Sequence, residues 1–151
     1  HTDLLIKAND ILTVPIDIYG KKNDLYVYRK LGDTLEPFYK GEFKKDFTEL
    51  DKILSSYKYM IDMSAIKGDG AGSQYTFLEA IYHRNILILS NSWINGLDTE
   101  FKHGINCLIV ENPEDIKILT EDKDIDIESI LNNADLLLLK HIEINWNLNN
   151  L

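Results

Sequence analysis

Four consecutive aliphatic residues, Ile86-Leu87-Ile88-Leu89, follow a helical pattern over residues 73–83 and end at the polar pair Ser90-Asn91. A strand turns successive side chains to opposite faces, so a run apolar at every position needs cover on both sides. Sheets buried in that way are built from parallel strands, which require crossover helices. Residues 59–64 (Tyr-Met-Ile-Asp-Met-Ser) and 106–110 (Asn-Cys-Leu-Ile-Val) read as further strands of the same kind. The fold class is therefore α/β, with helices on both faces of a parallel sheet.

The rest of the chain fits this alternation. Leu4, Leu5, Ala8, Ile11 and Leu12 recur at helical spacing, with Thr2 or Asp3 as cap. Residues 13–20 read as a short strand ending at Gly20, and residues 25–31 are ambiguous between helix and strand. Residues 38–43 suggest a strand and its exit loop. Residues 46–57 suggest an amphipathic helix with Phe47, Leu50, Ile53 and Leu54 on one side. Pro113 suits a first helical turn, giving a short helix over 113–119, and residues 128–142 form a last helix whose four-leucine run packs on the sheet. The Asn-rich tail, within residues 143–151, is expected to fray.

Residues 1–151 form one domain, long enough to bury a continuous core. The net charge of -9 opposes nucleic-acid binding, because an acidic surface repels the phosphate backbone. Any phosphate must be held locally. Cys107 is the single cysteine and lies in an apolar run, so it reads as a buried, inert thiol with no disulfide. No window approaches the roughly 18 apolar residues of a membrane span, and the start lacks the pattern of a secretory signal. A cytoplasmic location is expected, with peripheral membrane attachment open through parts outside this chain.

The segment from Asp62 to Ala80 carries the chemistry. Gly68, Gly70 and Gly72 stand between a strand and a helix that begins near Ser73. Glycine lets a ligand approach the backbone, and the unpaired N–H groups and dipole of a helix start attract an anion. An acidic protein can bind a diphosphate in this way. The spacing is not the dinucleotide fingerprint, since Ser73 stands where its third glycine would be, and no Gly-Lys-Ser/Thr of a P-loop follows. An ordinary connecting loop remains the alternative on glycine content alone. Glu79 lies about two turns into the helix, where a carboxylate near the sheet's carboxyl edge can accept both hydroxyls of a ribose. A solvent-facing glutamate is the alternative there.

Three blocks occur in order: Gln74-Tyr75-Thr76-Phe77-Leu78-Glu79-Ala80-Ile81, Ile86-Leu87-Ile88-Leu89-Ser90-Asn91, and His103-Gly104-Ile105-Asn106-Cys107-Leu108-Ile109-Val110. Together they resemble the carboxyl-terminal domain of GT-B glycosyltransferases of the family 4 kind, and weaker likeness extends over residues 2–118. The resemblance implies a Rossmann-like three-layer domain, the C-terminal half of a GT-B architecture, lacking its own first strand. It implies a nucleoside diphosphate sugar, such as a UDP-sugar, as donor. Glu79 would bind the ribose, the backbone of Gly70, Gly72, Ser73, Gln74 and Tyr75 the diphosphate and sugar, and the loop of Gly41, Glu42 and Phe43 the base. The family's other glutamate falls at Ala71, and Asp69 is the catalytic substitute that the resemblance suggests. Cys107 stands where the family commonly has glycine.

The resemblance further implies an acceptor-binding amino-terminal domain outside this chain, retention of configuration in the whole enzyme, and no turnover by these residues alone. It implies no cofactor and no metal. The family's diphosphate-binding Arg or Lys pair has Lys21, Lys22 and Lys67 as its nearby candidates, each more readily read as a solvated surface charge. His83 reads as capping helix carbonyls or facing water and His103 as part of a surface turn, while Tyr75 and Trp93 follow strand ends near the expected cleft. Two other readings stay open: half of a nucleotide-sugar epimerase, or a binding module of the same fold that has lost its chemistry. A flavodoxin-like or response-regulator domain fits less well, because residues 18–20 offer neither an acidic cluster nor a flavin loop.

Overall fold

The computed structural model describes residues 2–20, 22, 30–42, 46–63, 73–95 and 98–143. In chain order these form α1 (Thr2–Asn9), β1 (Ile18–Tyr19), two 3-10 turns (Gly32–Thr34 and Glu36–Phe38), β2 (Tyr39–Gly41), α2 (Phe47–Leu54) and β3 (Tyr59–Asp62). Then come α3 (Ser73–Tyr82), β4 (Ile86–Ser90), a single turn α4 (Asn91–Ile94), β5 (Leu108–Val110), α5 (Pro113–Glu121) and α6 (Ile127–Glu143). The strands make two parallel sheets, β1-β2 and β3-β4-β5.

Strand β4 is buried at all five positions, as its unbroken apolar run requires. Its alternate side chains feed two cores. Leu87 and Leu89 face Phe77, Ala80 and Ile81 of α3 and Ala134 and Leu137 of α6. Ile86 and Ile88 face Ala8 of α1 and Ile116 of α5. The arrangement is three-layered, and α6 spans both cores because Ile130 joins the second one. The leucine run of α6 is divided by helical geometry: Leu137 is buried, whereas Leu136 and Leu139 point outward.

Strand β1 is much shorter than the extended stretch expected from residue 13 onward. Pro15 has no N–H to give a ladder. Next to it, Asn9 takes both backbone groups of Ile16: its Oδ1 accepts from Ile16 N at 2.6 Å and its Nδ2 donates to Ile16 O at 3.0 Å. Local side-chain bonds thus replace sheet pairing. Residues 25–29 and the tail from 144 lie outside the described residues, as do the readings that concern them.

Among the described residues no strand pairing joins the two sheets. They are linked by side chains. Tyr57 Oη donates to Asp17 Oδ2 at 2.6 Å, and Tyr19 Oη lies 3.0 Å from Tyr57 Oη. Burial, the bond to Asp17 and the contact with Tyr19 raise the Tyr57 phenol above its ordinary value. Lys40 Nζ completes the group 3.2 Å from Asp17 Oδ1. Helix α1 also bridges, since Leu5 packs against both the cluster around Ile88 and the cluster around Ile18.

Candidate functional site

Helix α3 carries Glu79, and its register is fixed by the core. Phe77, Ala80 and Ile81 are buried, which turns Glu79 outward. Its carboxylate makes no hydrogen bond or ion pair with another described residue. Glu79 lines a groove with Leu78 and Tyr82 from the same helix, His83 directly after it and Phe47 from α2, with a volume of about 350 Å³. That volume is at the small end of ligand sites.

His83 holds the two helices together. Its side chain is only 3% exposed, with Nδ1 3.3 Å from Asp51 Oδ1 and 3.4 Å from Ser55 Oγ, both contributed by or just after α2. The expected carbonyl cap or water-facing ring is corrected by this position, because α2 covers it. Two other rings stand close to the imidazole. Phe47 lies 6.4 Å away between centroids, and Tyr82 meets it edge-on at 5.1 Å. Both outer rings are open to solvent, Phe47 at 67% and Tyr82 at 61% exposure.

The exposure of Phe47 departs from the helical pattern that put it with Leu50, Ile53 and Leu54. Those three are half-buried, while Phe47 begins the helix, directly after the Asp46 cap whose Oδ1 accepts from Thr48 N at 2.9 Å. Asn85 fixes the other end of α2. Its buried Nδ2 donates to Leu54 O at 2.9 Å and to Tyr57 O at 2.5 Å. One amide therefore ties the end of α2 to the approach to β3.

Of the other residues expected at the site, Gly41 closes β2 at a φ of +107°, a conformation that favours glycine, and Glu42 is exposed beside it. Ser73, Gln74 and Tyr75 form the first turn of α3. Phe43, Asp69, Gly70 and Gly72 lie outside the described residues, as do Ala71, Lys21 and Lys67. Lys22 is paired with Glu36 and lies 4.2 Å from the centre of the Tyr39 ring.

The third motif block proves to be a structural turn. Asn106 is buried, with Oδ1 accepting from Lys102 N and Nδ2 donating to Glu100 O, both at 2.8 Å. His103 Nδ1 accepts from Ile109 N at 2.9 Å, so the ring of this exposed residue serves the turn into β5. Gly104 adopts a φ of +71° there. Cys107 is fully buried, and burial pushes its thiol up to about 12. Among the described residues no cluster of histidine, cysteine and carboxylate side chains could hold a metal. No described helix is long and apolar enough to cross a membrane.

Solved structures share this arrangement. HepE from Anabaena in complex with UDP-glucose superposes with a TM-score of 0.66 at 14% identity, covering 91% of this chain and 40% of HepE. HepE with UDP gives 0.63 at 15% identity over the same shares. The pneumococcal O-GlcNAc transferase GtfA, in complex with UDP and GlcNAc, gives 0.54 at 19% identity, covering 94% of this chain and 32% of GtfA. The fold is Rossmann-like α/β. At these identities the likeness is one of fold, and the chain spans about two-fifths of HepE and a third of GtfA. The sequence matches no family model and no curated protein.

Proposed function

We propose that this chain is the donor-binding, carboxyl-terminal half of a GT-B glycosyltransferase of the family 4 kind. The observation that carries the reading is the free, outward Glu79 carboxylate in a groove on α3, with the first turn of that helix six residues earlier. Glu79 accepts the two ribose hydroxyls of a nucleoside diphosphate sugar. The diphosphate lies on backbone N–H groups from Gly70 through Tyr75, at the start of α3, whose first residue Ser73 is about 9 Å along the helix axis from Glu79 and where the dipole favours an anion. Keeping the phosphates at that distance limits their repulsion from Glu79. The loop of Gly41, Glu42 and Phe43 borders the base, and Asp69 is the catalytic substitute for the family's glutamate that falls at Ala71.

In this reading an acceptor-binding amino-terminal domain completes the enzyme, which transfers the sugar with retention, without a metal or cofactor. Two features support a contribution from a preceding segment. Strand β3 is only half-buried along its length although its neighbour β4 is fully buried, and long tyrosine side chains rather than backbone pairing connect β1 to the start of β3. A further parallel strand between them would merge the sheets into one. That UDP complexes occur among the structures sharing the fold is a further support.

Calorimetric titration of this chain with UDP tests the reading. Binding is expected, and Glu79→Ala should weaken it about tenfold to a hundredfold, because hydrogen bonds to a charged group contribute about 1.5–3 kcal/mol. Equal affinity in the variant would remove the role given to Glu79.

A further inference from the structure

Strands β1 and β2 and the two 3-10 turns between them form a small unit beside the main sheet of β3, β4 and β5. A two-stranded ladder is marginal by itself, and the core under this one is small: Ile18 and Leu35 with Ile6 of α1. Several side-chain bonds of the unit stay inside it. Tyr39 Oη donates to Gly20 O at 2.8 Å, Lys40 pairs with Asp17, and Lys22 pairs with Glu36. Two that leave it, from Asp17 Oδ2 and Tyr19 Oη, both end on the Tyr57 hydroxyl. The anchors on either side belong to the main body. Asn9 pins the backbone of Ile16, the residue before Asp17, to the end of α1, and Asn85 holds the Tyr57 carbonyl just before β3. Tyr57 is thus a fixed post, and burial and the bond to Asp17 keep its phenol protonated and able to donate.

We propose that this unit opens from the main body as a separate cooperative piece, with Ile16 as its pivot and the Tyr57 hydroxyl as the latch that holds it closed. Its closed state rests on a few buried apolar side chains and on bonds to one hydroxyl, whereas opening the main sheet exposes β4, buried at all five positions. The unit therefore opens at the lower free-energy cost. Of the two bonds to the latch, the one to Asp17 is the stronger, because its acceptor is charged. The inference does not depend on the donor reading, although that reading gives the opening a use: Gly41 closes β2, so Gly41 and Glu42 move with the unit. In the whole enzyme of that reading, a strand seated between β1 and β3 would add backbone pairing to the latch.

Amide hydrogen exchange of the 151-residue chain, followed by NMR under conditions where closing outpaces exchange, tests this. Gly20 N, bonded to Gly41 O at 2.9 Å, reports on the unit, and Ile86 N, bonded to Lys58 O at 2.9 Å, reports on the main sheet. Corrected for intrinsic rates, Gly20 should exchange faster than Ile86 and with a shallower dependence on urea, since its opening exposes less surface. Tyr57→Phe keeps the ring and removes the hydroxyl, so exchange at Gly20 should rise about tenfold to a hundredfold. Ile88→Val weakens the main core equally whether the unit is closed or open. It should speed Ile86 about twofold to tenfold and leave Gly20 unchanged. Equal rises at Gly20 and Ile86 in Ile88→Val, or equal urea slopes in the parent chain, would reveal one cooperative fold and overturn the inference. Unchanged exchange at Gly20 in Tyr57→Phe would overturn the latch. No ligand enters the experiment, so its failure and that of the donor reading are told apart.

Discussion

Replacing Asn85 by aspartate changes one atom and should unfold the chain at a much lower temperature. Asn85 is 1% exposed, and its Nδ2 lies between the carbonyl oxygens of Leu54 and Tyr57 at 2.9 and 2.5 Å. The orientation is unambiguous, because the flipped amide would set its oxygen against two others. In Asn85→Asp a carboxylate oxygen takes the donor's place and meets both carbonyls without a proton to share. Two hydrogen bonds of about 1 kcal/mol each are lost, and a buried, unpaired charge is added. Asn85 Oδ1 already has no partner among the described residues, so nothing nearby compensates. A loss of at least about 3 kcal/mol at pH 7 follows. For a domain of this size that corresponds to a melting temperature about 6–12 °C lower. Protonation restores the donor, so the variant carboxyl has a raised folded-state pKa. The stability it contributes is present below its unfolded value near 3.9 and lost as pH rises through the folded one. Thermal melts at pH 4 and pH 7 check both magnitude and sign. A variant as stable as the parent at pH 7, or one whose deficit is the same at both pH values, would refute the reading of Asn85 as the donor that anchors α2. Asn85→Ala should cost less, about 1–2 kcal/mol, because it deletes the unpartnered Oδ1 along with the bonds.

At the start of α5, Asn112 Oδ1 accepts from Asp115 N at 3.2 Å while Asp115 Oδ2 accepts from Asn112 N at 3.1 Å. Asn112→Ala should therefore cost about 1 kcal/mol and lower the melting temperature by about 2–4 °C, measured by calorimetry. The Cys107 thiol, pushed up to about 12 by burial from an ordinary value of 9.0, should ignore a thiol reagent at pH 8 until denaturant unfolds the chain. Stability contributed by the neutral thiol is complete below about pH 9 and is lost as pH rises through about 12, so denaturant titrations across that window should fall less steeply for Cys107→Ala.

Much of the architecture was legible in advance because it follows from local periodicity. The apolar run at Ile86 requires burial on both faces, and the helix from Ser73 follows from its spacing with Phe77, Ala80 and Ile81 inward. Glu79 was marked by its place in a run of motifs, and its outward direction follows once its neighbours are buried. The surface turn at His103 was legible in the sequence, whereas the bonds by which Asn106 and His103 hold it come from the folded backbone. The length of β1 was overestimated because Asn9, seven residues before Ile16, competes for its backbone, and pattern reading weighs side chains rather than such bonds.

Sequence order alone marked the central strands and the helices that cover them, since those depend on neighbours a few residues apart, while it left residues 25–31 open between helix and strand. Only the packed chain decided that Phe47 leaves the apolar face of its own helix, that His83 is enclosed by α2, and that both border the carboxylate of Glu79, 32 residues after Phe47 in the chain. Periodicity specifies a direction relative to the helix axis, whereas the meeting of two helices depends on how the sheet beneath them is paired and how the end of α2 is anchored by Asn85.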